Sequence, residues 1–322
     1  MNYLITVIVP IYKAEDYIER CARSLFEQTF DSIEYVFVDD CSPDNSIRIL
    51  QRLAVCYPGR TDAVRFVRHK ENEGVAAARN SGLRAAGGDY IIYCDGDDWM
   101  ELEAIEKMYK EAILTGADIV WTDFYYTYPN HETLSVQKCE MEKMECIKAL
   151  LCEKMHGAVW NKLIKRDLYD KNNIRFLVGL NIWEDLRVNV QLFFSAQSVS
   201  YLPEAFYHYV QYNAESLCAG SVSAIVHDTI GNAEDIIKFL NRNNISEEVN
   251  MQVNFLKLAA KRNLLVTTSR HAFLQWRLIY PEADRYILSY KVLPLRLRLI
   301  GWCTAHGLWA VINFWILLKK QL

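Results

Sequence analysis

The sequence predicts an α/β protein in which a mostly parallel sheet carries helices on both faces, followed by a C-terminal helical region. Short apolar runs rich in β-branched residues alternate with segments of helical spacing between Thr6 and Trp121, an order typical of a doubly wound parallel sheet. Two of these runs end in clusters of aspartate, and ligands bind beyond the carboxyl ends of the strands in such sheets. From Ala224 onward the apolar residues are spaced as in helices.

The apolar spacing predicts each element in order. We expect strands at Thr6–Ile11, Ile33–Val38, Val64–Arg68, Tyr90–Cys94 and Asp118–Trp121. Helices are expected between and after them, at Ala14–Gln28, Ile47–Cys56, Glu73–Ala86, Glu101–Thr115, Glu142–Glu153, Arg166–Asn172 and Glu184–Ala196. Further β-like segments are Val199–Leu202 and Ala205–Gln211, and Asn241–Ile245 is the best break in the helical region.

The composition is that of a globular protein. The chain has 322 residues, of which 51% are hydrophobic and 24% charged, so it can bury a large core. A net charge of −4 excludes the basic footprint of a nucleic-acid-binding protein. The odd number of scattered cysteines, without a Cys-x-x-Cys pair, favours reduced thiols and a cytoplasmic location. The first residues lead straight into a strand, so we expect no signal peptide.

The densest cluster of acidic side chains follows the predicted strand Tyr90–Cys94. Asp95, Asp97 and Asp98 stand within four residues, and Gly96 allows the backbone to turn between them. Carboxylates this close repel one another unless a cation or hydrogen-bond donors balance them. Hard oxygen ligands suit Mg²⁺ or Mn²⁺, which also bind phosphate oxygens. The alternative is an acidic turn that caps the next helix.

A second aspartate pair, Asp39-Asp40, follows the predicted strand Ile33–Val38. Because carboxyl ends of parallel strands meet at one edge of the sheet, we expect both clusters to serve one site.

Six segments, in this order, resemble the motifs of the family 2 inverting glycosyltransferases of the bacterial polysaccharide type, which have the GT-A fold. They are Val9-Pro10-Ile11-Tyr12, Val38–Asp44, Asn72–Gly82, Asp95–Asp98, Trp160–Leu163 and Trp183-Glu184-Asp185. The resemblance covers residues 4–217. It departs from the family at Cys41, where glycine is usual, and at Val210, in a segment that often carries arginine.

The resemblance implies a GT-A, Rossmann-like domain in two halves. Residues 1–124 would bind the nucleotide sugar, residues 125–217 would bind the acceptor and supply the base, and residues 218–322 would form the helical region. The implied reaction is metal-dependent transfer of a sugar, with inversion, from a nucleotide sugar to a glycan or lipid-linked acceptor. A UDP-sugar is the expected donor. The alternatives are a non-catalytic partner subunit with this fold and a sugar-phosphate nucleotidylyltransferase, but the latter needs a glycine-rich loop that Tyr12–Glu15 does not offer.

The resemblance also implies a role for each donor-side residue. Asp40 would accept the N–H of uracil, with Asp39 beside it, unless both only cap their turn. Arg79 would point toward the diphosphate, unless it lies on a solvated helix face. Asp95 would face the ribose or a metal-bound water, and Asp97 would ligate the metal. The remaining donor-side residues implied are Pro10, Tyr12, Asn72, Gly96 and Lys162.

On the acceptor side, the resemblance implies Asp185 as the general base. Glu184 is its rival, and an N-cap of the following helix is the structural alternative. Trp160 and Trp183 would stack on the acceptor sugar, although each could equally be core.

The C-terminal stretch predicts contact with a membrane. No acidic residue follows Asp284, and the stretch between Arg298 and Lys319 has no charge but several aromatic residues. Basic residues beside aromatic and aliphatic ones suit an anionic leaflet. We therefore expect peripheral contact through residues 285–322 at the inner face of the cell membrane. A core helix and a membrane-spanning helix over residues 299–318 remain alternatives.

Overall fold

A computed structural model of the chain describes residues 3–213, 221–267 and 269–321, with side chains to Ile316 in the last helix. The chain divides into two compact units. One comprises residues 1–147 and 154–217, and the other residues 148–153 and 218–322. The predicted boundary between residues 217 and 218 lies outside the described residues.

The first unit is built on one mixed sheet of nine strands. The strands are β1 (Ile5–Ile11), β2 (Ile33–Asp39), β3 (Val64–Arg68), β4 (Tyr90–Tyr93), β5 (Trp99–Met100), β6 (Ile119–Thr127), β7 (Glu132–Ser135), β8 (Lys162–Lys165) and β9 (Val199–Val210). Their order is β3-β2-β1-β4-β8-β6-β9-β5, with β7 paired to β6. Strands β1 to β4 pair in parallel, as do β6 and β9. The antiparallel pairs all involve β5, β7 or β8.

Helices lie between the strands along the chain as far as β9. They are α1 (Ile18–Phe26), α2 (Ser46–Val55), α3 (Pro58–Thr61), α4 (Val75–Ala85), α5 (Ala104–Thr115), α6 (Lys143–Leu151), α7 (Arg166–Lys171) and α8 (Glu184–Ser195). One of them, α6, continues into residues 148–151 of the second unit. Every residue of β2 and β4 is buried, which is why these strands have near-continuous apolar sequences. The predicted α/β sheet with helices around it is confirmed.

The predicted strands differ from the observed ones where pairing with distant strands, and not the local sequence, determines the bounds of a strand. The two β-like segments after Val199 form one strand, because β9 pairs with β6 throughout and absorbs an irregularity opposite Thr122–Phe124. The short strands β5, β7 and β8 were not predicted. Each has four residues or fewer, too few for an apolar period to show.

The second unit is helical, as predicted. Its helices are α9 (Val222–Arg242), α10 (Asn250–Lys261), α11 (Arg270–Leu278), α12 (Leu295–Ala305) and α13 (Trp309–Gln321), and the predicted break at Asn241–Ile245 ends α9. The uncharged C-terminal run is divided between α12 and α13, because Gly307 adopts φ +69° after the C-cap of α12. Within the described residues, no helix is long and apolar enough to cross a membrane.

Cys41 has a backbone conformation that glycine adopts with less strain. Its φ is +57°, in the left-handed region where a Cβ is disfavoured by about 1–2 kcal/mol. The turn after β2 therefore keeps its shape at a cost in backbone strain. The thiol lies 3.6 Å from the carbonyl oxygen of Lys70, a weak hydrogen bond.

Replacing Cys41 with glycine should leave the free energy of unfolding unchanged or raise it by up to about 1 kcal/mol, because relief of strain exceeds or balances the extra entropy of the unfolded chain. Urea denaturation measures this. The matched control is Cys56→Gly. Cys56 is exposed and has φ −74°, so that substitution should destabilise by about 0.5–1 kcal/mol. Equal destabilisation by both substitutions would contradict this account.

Candidate active site

The two aspartate clusters lie at the same edge of the sheet. Asp39 pairs with Ile11 at the end of β1, and Tyr93 at the end of β4 pairs with Ile8 of the same strand. The turn Asp95–Asp98 packs closely against β1, since a Cβ on Gly96 would come within 3.2 Å of the carbonyl oxygen of Pro10. A side chain at this position would push the turn away from β1 by a few tenths of an ångström, so glycine suits the close approach.

The side chains of Asp39 and Asp40 are both buried and engaged within the protein. Asp39 accepts a hydrogen bond from the backbone N–H of Ser42 (2.8 Å) and pairs with Arg68 (3.2 Å). Asp40 accepts from the backbone N–H groups of Glu73 (2.9 Å) and Gly74 (2.8 Å). Asp40 thus holds the start of α4 through both carboxylate oxygens.

His69 completes this anchor and was not singled out from the sequence. Its Nδ1 lies 2.7 Å from Asp40 Oδ1 and its Nε2 lies 2.8 Å from Ser81 Oγ. The three side chains are buried. Their hydrogen bonds therefore link β2, β3 and α4, and the serine is not exposed as the nucleophile of a catalytic triad would be. A polar residue directly after β3 was the available signal, since Asp40 likewise follows β2 directly.

Arg79 bridges the two acidic parts of the site. Its Nη2 donates to Asp95 Oδ1 (2.9 Å) and Oδ2 (3.2 Å), and its Nη1 donates to Glu184 Oε1. Although burial disfavours the charge, Asp95 and Glu184 raise the pKa of Arg79 above its ordinary value. The guanidinium therefore lies inside the protein, tying the turn after β4 to the first turn of α8, and not on a solvated helix face.

The acidic turn is held from behind by β9. Asp98 is buried and accepts from the Tyr207 hydroxyl (2.7 Å) and from the backbone N–H of Val210 (2.8 Å). The same hydroxyl accepts from the backbone N–H of Asp95 (3.0 Å). Asp97 accepts from Asn213 Nδ2 (2.8 Å). Tyr207 thus fixes both ends of the turn, a role that its sequence position alone does not reveal.

Asp95 and Asp97 are the carboxylates left to meet a metal. Burial raises the pKa of Asp97, and the neighbouring Asp95 raises it further, so a cation here would relieve their repulsion. Among the residues that the structure describes, no three His, Cys, Asp or Glu side chains are grouped to hold a metal ion. This donor set fits Mg²⁺ or Mn²⁺, which use one or two carboxylates together with phosphate and water.

Asp185 and Glu184 begin α8 but differ in their surroundings. Glu184 is buried and paired with Arg79. Asp185 is half-buried, and its Oδ1 accepts from the backbone N–H of Leu186 (2.7 Å). Burial raises the pKa of both carboxyl groups. A base must reach its substrate, so the accessible Asp185 suits that role better than the carboxylate committed to Arg79.

The two tryptophans predicted to bind the acceptor have different environments. Trp160 is buried and stacks on Tyr207 with ring centroids 4.2 Å apart. Trp183 is half-buried and has φ +71°, directly before Glu184. A bulky residue held in the left-handed region is strained by about 1–3 kcal/mol. This strain sets the direction in which the chain enters α8.

The other donor-side residues are divided between surface and interior. Tyr12 and Asn72 are exposed, and Pro10 is half-buried. Lys162 is fully buried and donates to the carbonyl oxygens of His156 (3.1 Å) and Ala158 (2.6 Å) and to Asn161 Oδ1 (2.9 Å). Burial lowers the pKa of Lys162 to about 7. Its ammonium group is enclosed by the segment before β8, so it shapes that segment from within.

Comparisons with known proteins agree with this architecture. Residues 6–172 match the model of the family described as glycosyl transferase family 2. The uncharacterized glycosyltransferase EpsJ of Bacillus subtilis is 33% identical over 214 residues, which span 64% of this chain and 60% of EpsJ.

Solved structures show the same fold at lower identity. The crystal structure of Staphylococcus aureus TarS 1–349 in complex with UDP superposes with a TM-score of 0.68 and 18% identity, over 96% of this chain and 90% of that one. The mannosyltransferase PcManGT of Pyrobaculum calidifontis, in complex with GDP-Man and Mn²⁺, gives a TM-score of 0.54 and 18% identity, over 98% and 88%. The predicted GT-A fold is confirmed, and the chain belongs to glycosyl transferase family 2.

Proposed function

We propose that the protein transfers a hexose from a UDP-sugar to a glycan or lipid-linked acceptor, with a divalent metal and with inversion at the anomeric carbon. The observation that supports this proposal is the linkage of Asp95, Arg79 and Glu184, because it ties the acidic turn to the first turn of α8, where Asp185 follows Glu184. The complexes of TarS with UDP and of PcManGT with GDP-Man and Mn²⁺ support a nucleotide-sugar donor and a metal.

On the donor side, Asp95 and Asp97 hold the metal, and Asp98 supports the turn through Tyr207. When bound, the metal neutralises charge on the departing diphosphate. Tyr12, Pro10 and Asn72 line the approach to the nucleotide. Asp39 and Asp40 shape the nucleotide pocket by fixing the turns around it, and the direct contact of Asp40 with uracil stays a prediction. Gly96 keeps the turn close to β1, and Lys162 positions the segment before β8.

On the acceptor side, Asp185 takes the proton from the attacking hydroxyl. Inversion requires attack opposite the leaving diphosphate, so the base and the metal must flank the sugar. Glu184 holds Arg79, and Arg79 in turn holds Asp95. Trp183 contributes a half-buried ring at the acceptor side, and Trp160 supports Tyr207 by stacking. A non-catalytic subunit would need neither an accessible Asp185 nor a strained residue before it.

We also propose that the enzyme works in the cytoplasm at the inner face of the cell membrane, through peripheral contact of residues 285–322. The absence of acidic residues after Asp284 supports this, because cations near an anionic leaflet are attracted to it. A lipid-linked acceptor would be met at the same surface.

Asp97→Asn should lower kcat at least about a hundredfold, because loss of a metal ligand removes several kcal/mol of charge stabilisation. UDP release from UDP-sugars, measured with and without added Mn²⁺, checks this. The matched control is Asp62→Asn, an exposed aspartate, which should keep full activity. Full activity of the wild-type protein in excess chelator would overturn the metal proposal.

Asp185→Asn should lower kcat by about 10²–10⁴-fold, because the general base acts mainly in the transition state and contributes little to donor binding. Calorimetry should show unchanged affinity for UDP. Glu184→Gln is the comparison variant and should chiefly lower stability, since it leaves Arg79 with one partner fewer. Near-normal turnover of Asp185→Asn with an inactive but folded Glu184→Gln would move the base to Glu184.

Tyr207→Phe should raise the Mn²⁺ concentration for half-maximal activity about 10–100-fold, as expected when a group that orients metal ligands is lost. The substitution keeps the stack on Trp160 but removes the hydrogen bonds to Asp98 and Asp95. Tyr201→Phe is the control, because that hydroxyl donates to Asp123 (2.7 Å), away from the turn. If Tyr207→Phe left the metal requirement unchanged, the turn Asp95–Asp98 would keep its conformation without the hydrogen bonds of Tyr207.

A further inference from the structure

We propose that helix α12 docks on an anionic lipid surface through an apolar stripe formed by Leu295, Leu299 and Trp302. This inference deepens the peripheral membrane contact proposed above and rests on it. The three side chains are 60%, 49% and 37% exposed. Their spacing of four and three residues places them on one face of the helix.

The opposite face of α12 is packed within the helical unit. Ile300, Gly301 and Thr304 are buried. A Cβ on Gly301 would come within 3.0 Å of Leu265 Cδ1 and 3.1 Å of Ile287 Cγ1, so the helix lies close against its neighbours there. The packing fixes which face turns outward, and the apolar stripe is therefore a built feature of the folded unit.

Apolar side chains next to the stripe extend it beyond the helix. Leu288 and Val292, in the segment before α12, are 45% and 48% exposed. The guanidinium of Arg298 donates to the carbonyl oxygen of Leu288 (2.7 Å), which ties that segment to the helix. Contiguous exposed apolar surface of this kind marks a site of interaction.

The charges around the stripe select an anionic occupant. Lys291, just before α12, and Arg296, within it, are exposed, and the sequence has no acidic residue after Asp284. Two copies meeting through this face would bring these cations together, which disfavours self-association. A bilayer with anionic headgroups offers both the apolar depth and the opposite charge.

The length of α12 defines how it would lie. With 11 residues, the helix is far shorter than the roughly 20 residues that span a bilayer. It would therefore lie in the plane of the headgroups with the stripe turned toward the acyl chains. This geometry would hold the enzyme at the surface where a lipid-linked acceptor is presented.

The test is co-sedimentation of the full-length protein with vesicles of phosphatidylcholine alone or mixed with phosphatidylglycerol. The wild-type protein should bind the mixed vesicles more tightly. Leu299→Asp with Trp302→Ser should weaken that binding at least about tenfold, since burial of each side chain is lost. Lys291→Gln and Arg296→Gln should each weaken it about fivefold, and only on the anionic vesicles.

Leu114→Asp is the matched control, because Leu114 is 83% exposed on α5 and should not affect binding. Circular dichroism verifies that each variant is folded. If the Leu299→Asp, Trp302→Ser double variant is unfolded, the loss of vesicle binding in the Lys291 and Arg296 variants tests the proposal instead. Failure of the wild-type protein to bind either vesicle, or an equal loss with Leu114→Asp, would overturn the proposal. The proposal would also be overturned if the stripe variant kept its vesicle binding and instead changed from an oligomer to a monomer in sedimentation velocity, since the stripe would then be a contact between copies.

Binding is measured without substrate, so this proposal and the proposed reaction fail separately. A protein that binds the mixed vesicles but releases no UDP from any UDP-sugar would contradict the reaction alone. A protein that turns over donor but ignores the vesicles would contradict the docking surface alone.

Discussion

The ion pairs of Arg79 are the interaction on which the site depends. One guanidinium meets Asp95, in the turn after β4, and Glu184, at the start of α8. The two carboxylates come from segments about ninety positions apart, and without the cation the buried Glu184 would lose the counter-charge that Arg79 supplies. Removing one partner of such a buried pair commonly costs 3–5 kcal/mol. Arg79 therefore sets the distance between the acidic turn and the helix that carries Asp185.

Several other contacts keep that arrangement rigid. Asp40 and His69 hold the start of α4, and so the helix on which Arg79 lies. Tyr207 holds the acidic turn from β9. Catalysis by a positioned base and a metal depends on groups fixed before the substrate arrives. These buried polar residues thus hold in place the segments that carry two carboxylates, Asp97 and Asp185.

The fold could be predicted from the sequence because the central parallel strands β1, β2 and β4 are buried almost throughout and have near-continuous apolar sequences. The motifs also placed Asp95–Asp98 and Asp39-Asp40 at one edge of the sheet. What the sequence could not show was how the polar groups pair. The motifs suited Arg79 to a diphosphate contact and Lys162 to a donor contact. In the structure, Arg79 pairs with Asp95 and with the distant Glu184, whereas Lys162 donates to the segment just before it, whose shape the sequence does not show. The short strand β8, which begins at Lys162, has too few residues to carry a period of its own.

The central claim is that Asp185 activates an acceptor hydroxyl for direct displacement of the nucleotide across the sugar from the metal. The anomeric configuration of the first product, followed by NMR during turnover, tests it most directly. The account predicts that an α-linked nucleotide sugar yields a β-linked product. A product that retains the α configuration would contradict a single displacement and the role given to Asp185.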